Sequence, residues 1–240
     1  LRKSLRIILK PSHRVSGWWW TLLVGVLCGS SAAFAGPIET TALQQSWPRQ
    51  RIRSYEVGRH DVRWREAASR KDGIFAGVSF TAPLARPRVW DMANDYSDVG
   101  HMTPGVESVR FLENTPTRQV IQIDVKVLWK RIRLTFEVAQ DPPTAIRFRL
   151  ANQAIGEFRG LCLFSEVASP SSGTTAAAQT SVELDTWLKP ARPVPVGLLL
   201  LVERMNLLQG IKEFLVTCDR QAASSQDSSS ATSPITSGRP

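Results

Sequence analysis

Between Gln119 and Leu188 apolar and polar residues alternate in one short stretch after another, and this period of two constrains the fold more than any other feature. From Gln119 to Trp129, Ile121, Ile123, Val125, Val127 and Trp129 fall on one side, and Gln122, Asp124 and Lys126 on the other. From Arg131 to Gln140, Ile132, Leu134, Phe136 and Val138 alternate with Arg131, Arg133, Thr135 and Glu137. Ala145 to Ala151 repeats the pattern, with Ile146, Phe148 and Leu150 opposite Arg147 and Arg149. Glu157 to Val167 and Thr180 to Leu188 add two more strands, separated by a Ser/Gly/Thr/Ala loop. Joins of turn length, such as Asp141-Pro142-Pro143-Thr144, link consecutive strands, so the sheet is antiparallel, apolar on one face and charged on the other.

A sheet with one apolar face must cover it. The segment from about Val196 to Gln221, preceded by Pro190, Pro193 and Pro195, reads as a long helix. Its stripe of Leu198, Leu201, Met205, Leu208, Leu215 and Cys218 is spaced at threes and fours, with Glu203, Lys212, Glu213 and Asp219 placed elsewhere. About 26 residues make roughly 39 Å of helix, enough to cross most of a seven-stranded sheet.

Upstream, Gly73 to Ala82 alternates as a strand and is stopped by Pro83. Pro87 suits the first turn of a helix, and Val89, Trp90 and Ala93 then share one face. The Ser97-Asp98-Val99-Gly100 turn leads to Pro104-Gly105, after which Val106 to Glu113 alternates again. Two weaker lead-in strands are expected near Ile52–Val57 and Asp61–Trp64. The expected organisation is therefore residues 36–72 as linker and lead-in, 73–221 as an α+β domain with about seven strands, and 222–240 as a Ser-rich tail too polar to order itself.

Residues 1–35 have the three parts of an export signal: a basic start, an apolar run from Trp18 to Cys28, and Ala33-Phe34-Ala35 before Gly36. The run proper reaches about 16 Å, half of a ~30 Å hydrocarbon core, so cleavage after Ala35 is the expectation and a retained N-terminal anchor the alternative. Export points to the bacterial periplasm. The chain's net charge is +9, but residues 1–35 hold five basic residues and no acid, so the rest has 9 minus 5, or +4. That mild excess, together with export, argues against a nucleic-acid partner. Past the signal only Cys162 and Cys218 remain, too few for a disulfide scaffold; they read as small buried hydrophobes, with one strand-to-helix disulfide as the other option.

His13 lies in the signal, His60 in the lead-in and His101 before Pro104, none at ligand spacing from a partner, so no metal or other cofactor is expected. His101 with Asp95 or Asp98 could form an acid–base pair, but a solvated loop histidine explains it as well, and no catalytic residue is assigned. Arg131, Arg133, Arg147, Arg149 and Arg159 share the charged face, either as a solvated surface or as a dock for anionic lipid headgroups.

This order of a strand, short helices, consecutive antiparallel strands and a long C-terminal helix resembles the helix-grip fold. Val89-Trp90, Asp95-Tyr96 and Pro104-Gly105-Val106 are similar to the signature of the START-like (SRPBCC) superfamily, in its coenzyme-Q-binding and polyketide-cyclase-like branch, as is Pro195-Val196-Gly197. The resemblance covers about Ile74 to Gln221 and implies a cavity between sheet and helix, closed at one end by the short helices. Such cavities take lipids, isoprenoid quinones, sterols or polyketides, and a minority catalyse cyclisation. The expectation is a monomeric, exported carrier of a hydrophobic small molecule, with a cyclase/aromatase-like enzyme using the same cavity, or a membrane-surface interaction module, as the alternatives. Its candidate lining is Trp90, Met102, Trp129, Phe136, Phe148, Phe158, Trp187, Leu201, Met205 and Leu208, with Asp95, Tyr96 and His101 at the mouth.

Overall fold

The computed structural model describes residues 50–95, 106–127, 130–152, 155–167 and 178–230. In them nine strands form one antiparallel sheet: β1 (Arg51–Val57), β2 (His60–Ser69), β3 (Gly73–Ala82), β4 (Val106–Asn114), β5 (Arg118–Val127), β6 (Lys130–Asp141), β7 (Ala145–Leu150), β8 (Gly156–Glu166) and β9 (Thr180–Pro190). Helix α1 (Arg86–Ala93) follows β3, and α2 (Val196–Ser230) closes the chain. The sheet order is β1-β2-β3-β9-β8-β7-β6-β5-β4. After β3 the chain therefore crosses by way of α1 to the far edge, then returns strand by strand until β9 pairs with β3.

The seven alternating stretches are β3 to β9, and the two lead-in stretches are full members of the sheet. The count is nine rather than about seven because β2 pairs with β3 from Arg63↔Ser79 to Ser69↔Gly73. Val62 and Trp64 of β2 are wholly buried. The charged residues of this segment hid its alternation: Arg63 and Arg65 face one way, Val62, Trp64 and Glu66 the other. At the β1–β2 turn Gly58 has φ +66°, a left-handed conformation that a side chain would strain. The helix α2 also runs past Gln221, to Ser230.

Most of the large core residues lie on one face, while Phe75, paired with Trp187, and Leu161 are buried on the other. Ala76, Val78, Phe80, Val138, Ile146, Phe164 and Val182 from the sheet pack with Ile211, Leu215 and Cys218 of α2, and with Val89 and Trp90 of α1. A second group joins Ile74, Val125, Ile132 and Leu188 to Leu199 and Val202 near the start of α2. The helix packs most closely on β2 and β3. Helix α1 packs on β8, where the Trp90 and Phe164 rings meet edge to face at 5.5 Å. Its Asn94 C-cap returns an amide hydrogen bond to the Trp90 carbonyl at 2.9 Å.

On α2 the expected stripe is corrected in its first half. Leu199 and Val202 are buried, whereas Leu201 (38% exposed) and Met205 (40%) lie on the outer side. Four consecutive leucines leave the inward face undetermined by periodicity. Glu203, expected outside, turns inward with Leu199 and Val202 and meets the Thr186 hydroxyl of β9 at 3.1 Å.

Candidate functional site

The strand registers place one set of side chains under α2. Pairing Phe148↔Gly160, Phe158↔Leu188 and Phe136↔Leu150 puts Phe136, Phe148 and Phe158 on the helix-facing side of β6, β7 and β8. All three are half-buried. Phe158 sits between the others, 6.1 Å from Phe136 and 5.8 Å from Phe148 between ring centroids. Ile123, Leu134, Cys162 and Leu184 continue this apolar surface, and Leu207, Leu208 and Phe214 meet it from the helix. Gly160 makes room for the Phe148 ring, which a Cβ there would overlap.

These side chains front α2 while the helix is packed closest on β2 and β3. Large apolar groups are thus left half-buried on the face that fronts the helix. Two polar groups share this half-buried setting. Burial raises the Glu203 carboxyl above its ordinary value, and it raises the Cys162 thiol to about 12, with nearby Asp185 adding to the effect. Yet both side chains keep solvent-accessible surface. Cys218, deeper in the core, is likewise raised to about 12 by burial and then by Asp219. Both cysteines are free thiols, Cys218 buried and Cys162 half-buried.

A row of paired residues crosses the sheet beneath the helix: Glu66, Ala76, Thr186, Gly160 and Phe148. The Thr186 hydroxyl lies 3.1 Å from both the Ala76 carbonyl and Glu203 Oε1. Glu66, 4% exposed, accepts a 2.8 Å hydrogen bond from the Trp64 indole and is flanked by Arg53 and Arg204 at 3.5 and 3.8 Å. At the α1 end a chain of amides runs across the same face. Gln140 donates to Asn94 and to Gln119 at 3.1 Å, and Gln119 donates to Asn114 at 3.0 Å.

The residues expected to line a cavity divide between the two faces. Trp90, Phe136, Phe148, Phe158 and Leu208 face the interior. Trp187 does not: it pairs with Arg159 on the opposite face, where that guanidinium lies 4.4 Å over its ring and its indole donates to the Asp72 carbonyl. The alternation of β9 has Val182, Leu184 and Leu188 inward, so Trp187 is out of phase and its size alone suggested burial. Leu201 and Met205 are on the outside of α2. Asp95 is exposed just after α1, and Tyr96, His101, Met102 and Trp129 lie outside the described residues. Glu66, Thr186, Glu203, Gln119 and Gln140 were not anticipated. The signal for the strand residues was a polar side chain standing in the apolar phase.

On the outer face the five arginines are each matched to an acid: Arg131 to Glu107 and Arg133 to Asp124 at 2.8 Å, Arg149 to Glu137 at 2.9 Å, Arg159 to Glu157 at 3.4 Å, and Arg147 to Asp141. Among the described residues no group of His, Cys, Asp or Glu is placed to hold a metal, and no helix is long and apolar enough to cross a membrane.

Residues 82–214 match the family model described as polyketide cyclase / dehydrase and lipid transport. Among solved structures the chain is similar to the STAR-related lipid transfer protein from Xanthomonas axonopodis, with a TM-score of 0.52 and 14% identity over 71% of this chain and 98% of that one. It is also similar to the Zhui aromatase/cyclase from Streptomyces sp. R1128, with a TM-score of 0.49 and 19% identity over 61% and 94%. The comparison with curated proteins finds no match. The curved sheet gripping a C-terminal helix is the fold shared with the Xanthomonas protein.

Proposed function

Because this chain belongs to the polyketide cyclase / dehydrase and lipid transport family, we propose that it binds and carries a hydrophobic small molecule, such as a lipid or isoprenoid quinone, in the recess between the sheet and α2. The observation that carries this reading is the half-buried aromatic floor of Phe136, Phe148 and Phe158 facing the helix. A dry void of about 300 Å³ would cost several kcal/mol at about 24 cal/mol per Å³, comparable to a domain's net stability, so such a recess favours an occupant. Carriage rather than turnover fits a wall of aromatic and aliphatic groups beside which Glu66, Gln119 and Gln140 are already engaged by protein partners. Residues 1–35 support delivery of the carrier to the periplasm.

Thermal unfolding of the purified protein against a panel of phospholipids, isoprenoid quinones and aromatic polyketides tests the proposal. A ligand at a hundred times its Kd adds about 2.7 kcal/mol of stability, which raises Tm by several degrees. At least one class should do so in the wild type and fail to do so in Phe158→Asp. A panel without effect would contradict the reading.

A further inference from the structure

We propose that the Glu203–Thr186 pair is the head-group subsite of this recess, and that it selects an apolar ligand ending in a neutral hydroxyl or carbonyl oxygen. This rests on the reading of the recess as a ligand site and adds the chemistry of its polar end.

Glu203 reaches from α2 to Thr186, whose hydroxyl is equidistant, at 3.1 Å, from the Ala76 carbonyl and Glu203 Oε1. A hydroxyl has a single proton to give. If Thr186 gives it to Ala76, a protonated Glu203 donates to Thr186 and presents Oε2 as an acceptor. If Thr186 gives it to Glu203, the carboxylic acid presents its own O–H as a donor. Glu203 Oε2 has no hydrogen-bond partner among the described residues, so it is the atom left for a ligand. A protonated carboxyl thus matches an alcohol in one arrangement and a ketone or quinone carbonyl in the other. Burial disfavours the ionised form of Glu203 and would likewise penalise an ionised head.

Position supports the same assignment. Thr186 is paired with Gly160, over which the Phe148 ring lies, so the polar pair stands one strand from the aromatic floor. The aromatic floor and the Glu203–Thr186 pair therefore share one face of adjacent strands. The next polar group in the row, Glu66, is already engaged by Trp64, Arg53 and Arg204.

The test is calorimetric titration of the purified chain with dodecane, 1-dodecanol, 2-dodecanone and dodecanoate at neutral pH. Dodecanol and dodecanone should bind more tightly than dodecanoate. Glu203→Leu and Thr186→Val should each lose about tenfold for dodecanol, the scale of one hydrogen bond to a buried group, while dodecane affinity stays within about threefold. Glu203→Gln, which keeps a donor and an acceptor, should retain dodecanol within a few-fold. Thr186→Val supplies an independent answer should Glu203→Leu not fold. Equal losses for dodecane and dodecanol, or a preference for dodecanoate, would overturn the head-group assignment and leave the recess standing. Failure of all four probes to bind the wild type would overturn both.

Discussion

The Trp90 and Phe164 rings meet edge to face with centroids 5.5 Å apart and planes at 73°, fastening α1 to β8. This contact closes one end of the grip, where Arg88 of α1 also donates to Gln221 of α2 at 2.9 Å. Trp90→Ala would remove a ring that is 9% exposed and leave Phe164 facing a void. Chemical denaturation should show a loss of about 3–5 kcal/mol, with Trp90→Phe recovering more than half of it.

Gly160→Ala places a methyl group within 2.2 Å of the Phe148 ring, so the ring must swing off the sheet. The backbone there is ordinary, and the cost should fall in the 1–3 kcal/mol range of overpacking, read from urea unfolding. The swing fills the recess, so affinity for any bound ligand should fall together with stability. Phe148→Leu combined with Gly160→Ala should restore stability, which separates ring displacement from backbone strain.

Burial raises Glu203 above its ordinary value of 4.5. A raised folded value means that its contribution is fully present below the unfolded value and is lost as pH rises through the folded one. Glu203→Gln removes that dependence. The variant's Tm advantage over wild type should therefore grow from acid toward neutral pH and then level off, as measured by calorimetry across that range.

Asp219 shows the opposite sign. Burial alone would raise it, but hydrogen bonds from Arg59 at 2.9 Å and His60 at 3.0 Å outweigh burial and lower it below 3.8. Its contribution is present above the unfolded value and is lost as pH falls through the lowered one. Asp219→Asn should cost about 1 kcal/mol or less at pH 7, because Arg59 is largely exposed, and the difference should shrink below about pH 4.

The alternation made the seven strands from Gly73 onward readable, and Pro87 with Val89 and Trp90 marked α1. Side-chain phase was legible in the strands and illegible on α2, where Leu198–Leu201 fit any face. The inward face of that helix is defined by Leu199, Val202, Ile211, Leu215 and Cys218 packing on the sheet, with Glu203 meeting Thr186, tertiary contacts that no local pattern encodes. The aromatic floor was readable because Phe136, Phe148 and Phe158 are in phase with their strands. The polar end was not, since Thr186 among Val182, Leu184 and Leu188, or Glu66 after Val62 and Trp64, looks like an interruption until its partner is known. Trp187 shows the converse, a large apolar residue held on the outer face by Arg159 and the Asp72 carbonyl.

Native mass spectrometry of the protein purified from its own compartment, compared with its denatured mass, is the most direct measurement of whether the recess holds a ligand. The account predicts an excess mass that extracts into organic solvent as an apolar compound with a hydroxyl or carbonyl end, and that is lost from Phe158→Asp. A native mass equal to the bare chain in repeated preparations, with no lipid or quinone retained on incubation, would contradict it.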